Sequence, residues 1–337
     1  MPSHSTNRRR FIHQLGLTTG GLMLFPFGCK EAVPPDVRIT NVSFFTLPKA
    51  RRKIPGKGAF QEELPARGRE NFMRIDTDKG LSGIGYFTGS TRVARTLIGK
   101  NLSEIFQEGR MQHAPGLTAA LWDVLGKVHN APIWKMMGDS QRETVPVMDS
   151  SFYFMDLAEG NEQGYGQKFY QEIQHSKELG HEVFQFQVGR GAKWMSPEEG
   201  LERDMELLAG FSEYFREGGQ LGIQGGESFT SNTALQLLSA GGAHQYAFID
   251  SLIPAEPETC LMLRKAAEKM GINSLWSGGM QFDKADQMQI YLRSGAFDII
   301  RPSLMRASIS NIKDIAMAST GGVPGRSSRS RGPPRRR

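Results

Sequence analysis

Few groups in this sequence have the type and spacing that bond-making chemistry needs. Five of the seven histidines, His113, His129, His175, His181 and His244, fall in the N-terminal region ahead of the repeats, on helices or at helix ends, not at strand C-termini, and read as surface or packing residues. The cysteines are Cys29 and Cys260, a pair that supplies neither a disulfide framework nor a metal-ligand cluster. The segment Val183–Met195 carries more. Strand alternation sends Gln185 and Gln187 to one side, where amides can hydrogen-bond but hold no titratable proton and so cannot act as general bases. Arg190 and Lys193 follow the strand end, placed either to meet a carboxylate or to stand as solvated loop charges. Trp194 and Met195 line a pocket or pack a lid in the same reading, and Asp298, inside a later strand, reads as structural.

These groups need elements to position them. Short apolar or alternating runs at Thr144–Asp149, Val183–Val188, Leu221–Gln224, Tyr246–Asp250, Ser274–Ser277 and Ala296–Ile300 read as strands. Between and after them lie amphipathic stretches, Tyr165–Leu179, Pro197–Phe215, Asn232–Ala240, Pro257–Met270, Lys284–Arg293 and Ser310–Ala318. Ser196-Pro197-Glu198-Glu199 starts one of these helices with a cap, a first-turn proline and early acids. Regular strand-helix alternation means parallel strands, in a (β/α) barrel or a doubly wound sheet. No G-x-G-x-x-G follows the first strand, which weakens a dinucleotide-binding reading. Ahead of this region, Val37–Leu47, Asn71–Thr77 and Gly80–Thr88 read as three strands, and Thr91–Phe106 and Leu117–Met137 as helices.

The chain has 337 residues, 39% hydrophobic and 23% charged, an ordinary globular balance that excludes disordered, collagen-like and disulfide-rich classes. No apolar run reaches the ~18–20 residues of a membrane-spanning helix. The net charge of +6 misleads, because Gly321 to Arg337 holds six Arg and no acid. The body is close to neutral and carries no nucleic-acid-binding motif.

Three segments resemble the mandelate racemase/muconate lactonizing branch of the enolase superfamily. Asn71–Gly85 resembles its cap hairpin, with Gly80, Gly83 and Gly85 in the Gly-x-x-Gly-x-Gly pattern. Ala120–Gly138 resembles the D-x-x-G-K … P-x-x-x-x-x-G helix that leads into the barrel. Val183–Met195 resembles the second barrel strand of sugar-acid dehydratase-like members. The resemblance implies an α/β chain: an enolase-type α+β capping domain at residues 37–138, then an incomplete (β/α) TIM-like barrel of about six units at 139–320. It implies Mg²⁺-dependent proton abstraction next to a carboxylate, with the metal on three carboxylates at strand ends. A small carboxylate or sugar acid is the implied ligand, and a homo-oligomer the implied assembly.

The sequence departs from that pattern at the positions that carry the chemistry. Where the family has Lys-x-Lys, this chain has Gln185 and Gln187. The three ligand positions read Gln224, Asp250 and Ser277-Gly278-Gly279, leaving Asp250 as the retained carboxylate, and Arg301 adds positive charge at the same rim. Glu227 follows Gln224 and can substitute only if its loop bends back. The resemblance thus implies a weak Mg²⁺ site or none. The candidate substrate-binding residues are Gln224, Glu227 and Arg301, and three readings follow: a family member silent in the ancestral reaction; a binding protein in which Gln185, Gln187, Gln224 and Asp250 hydrogen-bond a sugar or sugar acid without turnover; and an enzyme with a site rebuilt from Asp250 and Glu227.

The ends read separately. Asn7-Arg8-Arg9-Arg10-Phe11-Ile12, followed by a mildly apolar stretch, resembles a twin-arginine export signal over residues 1–30. Gly28-Cys29 resembles a lipoprotein cleavage site, which implies a periplasmic or membrane-attached protein. Residues 321–337 read as a disordered Arg/Pro/Gly tail or an out-of-frame replacement for the last barrel units, leaving unpaired sheet edges and a marginal, aggregation-prone chain.

Overall fold

The computed structural model describes residues 37–320, apart from 52, 54, 108–114, 138–143, 146, 159–164, 216–219, 241–245 and 305. The export motif, Cys29, the basic tail, His113 and His244 lie outside the described residues. Among the described residues no helix is long and apolar enough to cross a membrane.

The chain first builds an antiparallel sheet in the order β1 (Ile39–Ala50), β2 (Arg67–Thr77), β3 (Ser82–Tyr86). Alternation along β2 buries Met73, Ile75 and Thr77 and leaves Arg74 and Asp76 outside, where Asp76 accepts from Asn41, Arg74 and Ser82. The hairpin glycines divide the task. Gly80, at φ 72°, makes the turn. Gly83 and Gly85 let a helix approach, because a Cβ on either would lie 2.2 and 2.4 Å from the backbone of Ala120.

That helix is α3 (Pro115–Val128), preceded by α1 (Thr91–Arg95) and α2 (Leu102–Gln107) and followed by α4 (Ile133–Met136). The sequence predicts two long helices here, and the structure has four shorter ones. Gly99, at φ 85°, divides the first pair; Asn130, at φ 49°, and Pro132 divide the second. Helical φ is negative, so no helix can run through either left-handed residue. Leu121, Val124 and Leu125 of α3 pack on Val42, Met73 and Ile75 to form the first core.

Six parallel strands follow in sequential order: β4 (Asp149–Phe152), β5 (Val183–Gln187), β6 (Gln220–Gln224), β7 (Phe248–Asp250), β8 (Leu275–Gly278) and β9 (Ile299–Ile300). They alternate with α5 (Tyr165–Glu178), α6 (Pro197–Tyr214), α7 (Ser231–Ala240), α8 (Pro257–Lys269) and α9 (Ala285–Ser294), and α10 (Ile309–Thr320) closes the described chain. The first of these strands starts later than the predicted Thr144–Asp149. Val145 and Val147 are 73% and 66% exposed, whereas Phe152 buries completely against Phe184 and Phe186, so burial rather than alternation sets the strand.

Strand alternation sorts the two faces of the sheet. Phe184, Phe186, Leu221, Ile223 and Ile249 join Phe169, Leu208, Phe211 and Leu263 in the layer between sheet and helices. The opposite face is apolar at the strand starts, where Phe248 and Leu275 pack with Met148, Val183 and Ile299. Gly222 makes room there, since a Cβ would meet the Phe248 ring at 2.3 Å. Toward the strand ends the same face turns polar.

Candidate functional site

Parallel register lines up the strand ends. Gln187 pairs with Gln224, Gln224 with Asp250, and Asp250 with Ser277, while Arg301 follows β9 directly. The side chains join into one hydrogen-bonded chain. Gln185 Nε2 donates to Gln224 Oε1 at 2.7 Å. Arg301 Nη1 donates to Gln185 Oε1 at 2.8 Å and to Asp250 Oδ2 at 2.6 Å. Ser277 Oγ donates to Asp250 Oδ1 at 2.6 Å. Asp250 is 0% exposed and Gln185 1%, while the Arg301 side chain keeps 22% exposure and reaches solvent.

This donor set does not fit a divalent metal of the Mg²⁺ type. Such an ion takes hard oxygen ligands, usually several of them anionic. The row supplies one carboxylate, Asp250, with one oxygen on a guanidinium and the other on a hydroxyl. The Gln224 amide oxygen already accepts from Gln185. Among the described residues no group of three or more His, Cys, Asp or Glu is arranged to hold a metal ion.

Glu227 lies just beyond β6 in left-handed backbone, φ 64°, and its amide N–H donates to the Ser251 carbonyl at 2.6 Å. Its carboxylate accepts from Gln281 Nε2 at 2.8 Å, whereas Asp250 accepts from Arg301 and Ser277. Burial pushes the Glu227 carboxyl above its usual range, and the charge of Asp250 pushes in the same direction. It lines a small pocket with Ser251, Ser277, Cys260 and Trp276.

A loop of the first layer roofs the mouth. A Cβ on Gly58 would lie 2.2 Å from Gln187 Oε1, and Ala59 packs against Gly189 and Gly226. Trp194 Nε1 donates to the Gly58 carbonyl at 2.7 Å, and Phe154 N to the Lys57 carbonyl at 2.8 Å. Lys193 pairs with Glu62 of the same loop. Trp194 and Lys193 thus act as fasteners between the layers.

Arg190 corrects the sequence reading, which has it meet a carboxylate ligand or solvent. Its residue is 1% exposed. Gly189, at φ 110°, turns the chain so that the guanidinium runs inward, pairing with Asp156 through Nη2 at 2.7 Å and with Asp204 through Nη1. Burial alone would lower its pKa; the hydrogen bonds and charges of Asp156 and Asp204 more than offset this and keep it protonated. Asp204 also accepts from the Gly189 and Arg190 backbone N–H groups, fixing the turn after β5. Asp298 is structural as read, accepting from Arg264 and from Trp276 N. His129, His175 and His181 belong to none of these contacts.

Sequence reasoning missed Gly58, Gln281 and the Asp156–Asp204 pair. Only Asp204 had a signal, an acid on the otherwise apolar inner face of α6.

No family model matches the sequence. Solved structures do match the fold, an enolase-type capping layer with part of a TIM barrel. A galacturonate dehydratase from Geobacillus sp., complexed with D-galacturonate and 5-keto-4-deoxy-D-galacturonate, is 22% identical over 80% of this chain and 73% of its own, TM-score 0.69. A mandelate racemase/muconate lactonizing protein from Geobacillus sp. Y412MC10, complexed with magnesium/tartrate, is 22% identical over 81% and 72%, TM-score 0.70. A 3,6-anhydro-D-galactonate cycloisomerase from Zobellia galactanivorans is 16% identical over 84% and 77%, TM-score 0.61.

Proposed function

We propose that this chain is an enolase-superfamily protein, of the mandelate racemase-like type, whose mouth binds a small carboxylate or sugar acid without Mg²⁺-dependent proton abstraction. The Arg301–Asp250 pair carries the reading: the retained carboxylate is neutralised by an arginine of the same chain. Abstraction next to a carboxylate needs a base and a Lewis acid. The Lys-x-Lys positions hold Gln185 and Gln187, which cannot take a proton, and the strand ends supply one carboxylate, Asp250, already paired with Arg301. The amide-rich row favours binding over residual chemistry. The proposal includes a capping domain at 37–138, a barrel domain at 139–320, export by the twin-arginine segment and attachment at Cys29.

The test is proton NMR in D₂O of D-galacturonate and tartrate with protein and Mg²⁺. The expected result is no solvent deuterium at the carbon next to the carboxylate. Incorporation at a rate proportional to protein would overturn the proposal.

A further inference from the structure

We infer that Arg301 is a built-in cation of the mouth, taking the ligand's carboxylate on the edge of its guanidinium that the described residues leave free, so that acid recognition here needs no metal. The inference rests on the binding reading above and names its anchor.

A guanidinium has five N–H donors in one plane, and two parallel donors match the two oxygens of a carboxylate. Among the described residues, partners use one nitrogen of Arg301. Nη1 donates to both Gln185 and Asp250, while Nε and Nη2 meet no acceptor among the described residues. The side chain is 22% exposed, so the group is not sealed in by its partners.

The group is also held in place before any ligand arrives. Asp250 is fixed on its far oxygen by Ser277, and Gln185 is fixed by Gln224. A pre-oriented donor loses little freedom on binding, which favours affinity. Pairing through one nitrogen directs the acid to the remaining edge rather than to Asp250.

Gln187 is a second polar side chain at this end of the sheet. The Gln187 amide has no hydrogen-bond partner among the described residues and lies under Gly58, beside the row that Arg301 ends. An amide offers both a donor and an acceptor, which suits a hydroxyl. The chemistry that fits the Arg301 edge is a small carboxylate, and the amide-lined row beside it suits one that carries hydroxyls.

The experiment is titration calorimetry of the full chain in EDTA with D-galacturonate, its methyl ester, tartrate and uncharged D-galactose. The expected result is binding of at least one acid without metal and at least tenfold weaker binding of galactose. Arg301→Lys keeps a charge opposite Asp250 but lacks the planar fork, and is expected to weaken the acid tenfold or more. Should that variant fail to fold, the ester decides on the wild-type protein: equal affinity for acid and ester overturns the inference. Acid binding that is lost in EDTA, that is unchanged in Arg301→Lys, or that is absent for every acid also overturns it. Deuterium exchange would sink the proposed function and leave this anchor standing, whereas arginine-independent binding would sink the anchor alone.

Discussion

Arg301 Nη1 stands 2.6 Å from Asp250 Oδ2, inside the row of strand ends where Gln224 and Ser277 complete the register. A carboxylate buried to 0% exposure is tolerated because a cation and a hydroxyl satisfy it.

Breaking that pair from the arginine side is therefore expected to destabilise the fold. Arg301→Gln leaves Asp250 buried without a counter-charge, at a loss of about 3 kcal/mol, the lower end for a buried pair because Arg301 reaches solvent. Adding Asp250→Asn in the same chain is expected to recover most of it. Urea denaturation of wild type, both single variants and the double variant measures the coupling, and additive losses would count against it.

The buried cluster around Arg190 is expected to be more sensitive. Arg190→Met leaves Asp156 and Asp204 facing each other without a cation, at a cost of roughly 3–5 kcal/mol. Denaturant midpoints read this directly, and a change under about 1 kcal/mol would rule out a structural role for the cluster.

Gly85→Ala tests the close approach of β3 and α3. The added Cβ would lie 2.4 Å from Ala120 N, a backbone atom that cannot swing aside. The expected loss is about 1–3 kcal/mol. Thermal melts of the variant check it, and an unchanged melt would mean that the helix can retreat freely.

Acid is expected to weaken the fold through Asp149. Burial raises its pKa, but hydrogen bonds from Ser151 and Ser176, with Lys53 nearby, outweigh burial and hold the carboxyl below its usual range. A depressed carboxyl stabilises the fold above its unfolded pKa, about 3.9, and that contribution is lost as pH falls through the lower folded value. Ser176→Ala is expected to shrink the difference in stability between about pH 5 and pH 3. An unchanged difference would remove Asp149 from the acid response.

What was legible in the sequence follows from range. The alternation of Phe184 to Gln187 sets both faces of β5 locally, so the inward turn of Gln185 could be read residue by residue. Arg190 could not, because its fate depends on partners 34 and 14 residues away, on a short turn and on α6. Gly58 gave no signal, since its loop has no period and its role is to pass close over Gln187. The helix breaks at Gly99 and Asn130 were hidden because apolar spacing continues across them while backbone φ reverses sign.

The central claim is that Arg301 occupies electrostatically the place a dication would need, and magnesium calorimetry on the full chain tests it most directly. The expected result is no saturable heat in the millimolar range for the wild-type protein. One-to-one Mg²⁺ binding that disappears in Asp250→Asn would contradict it.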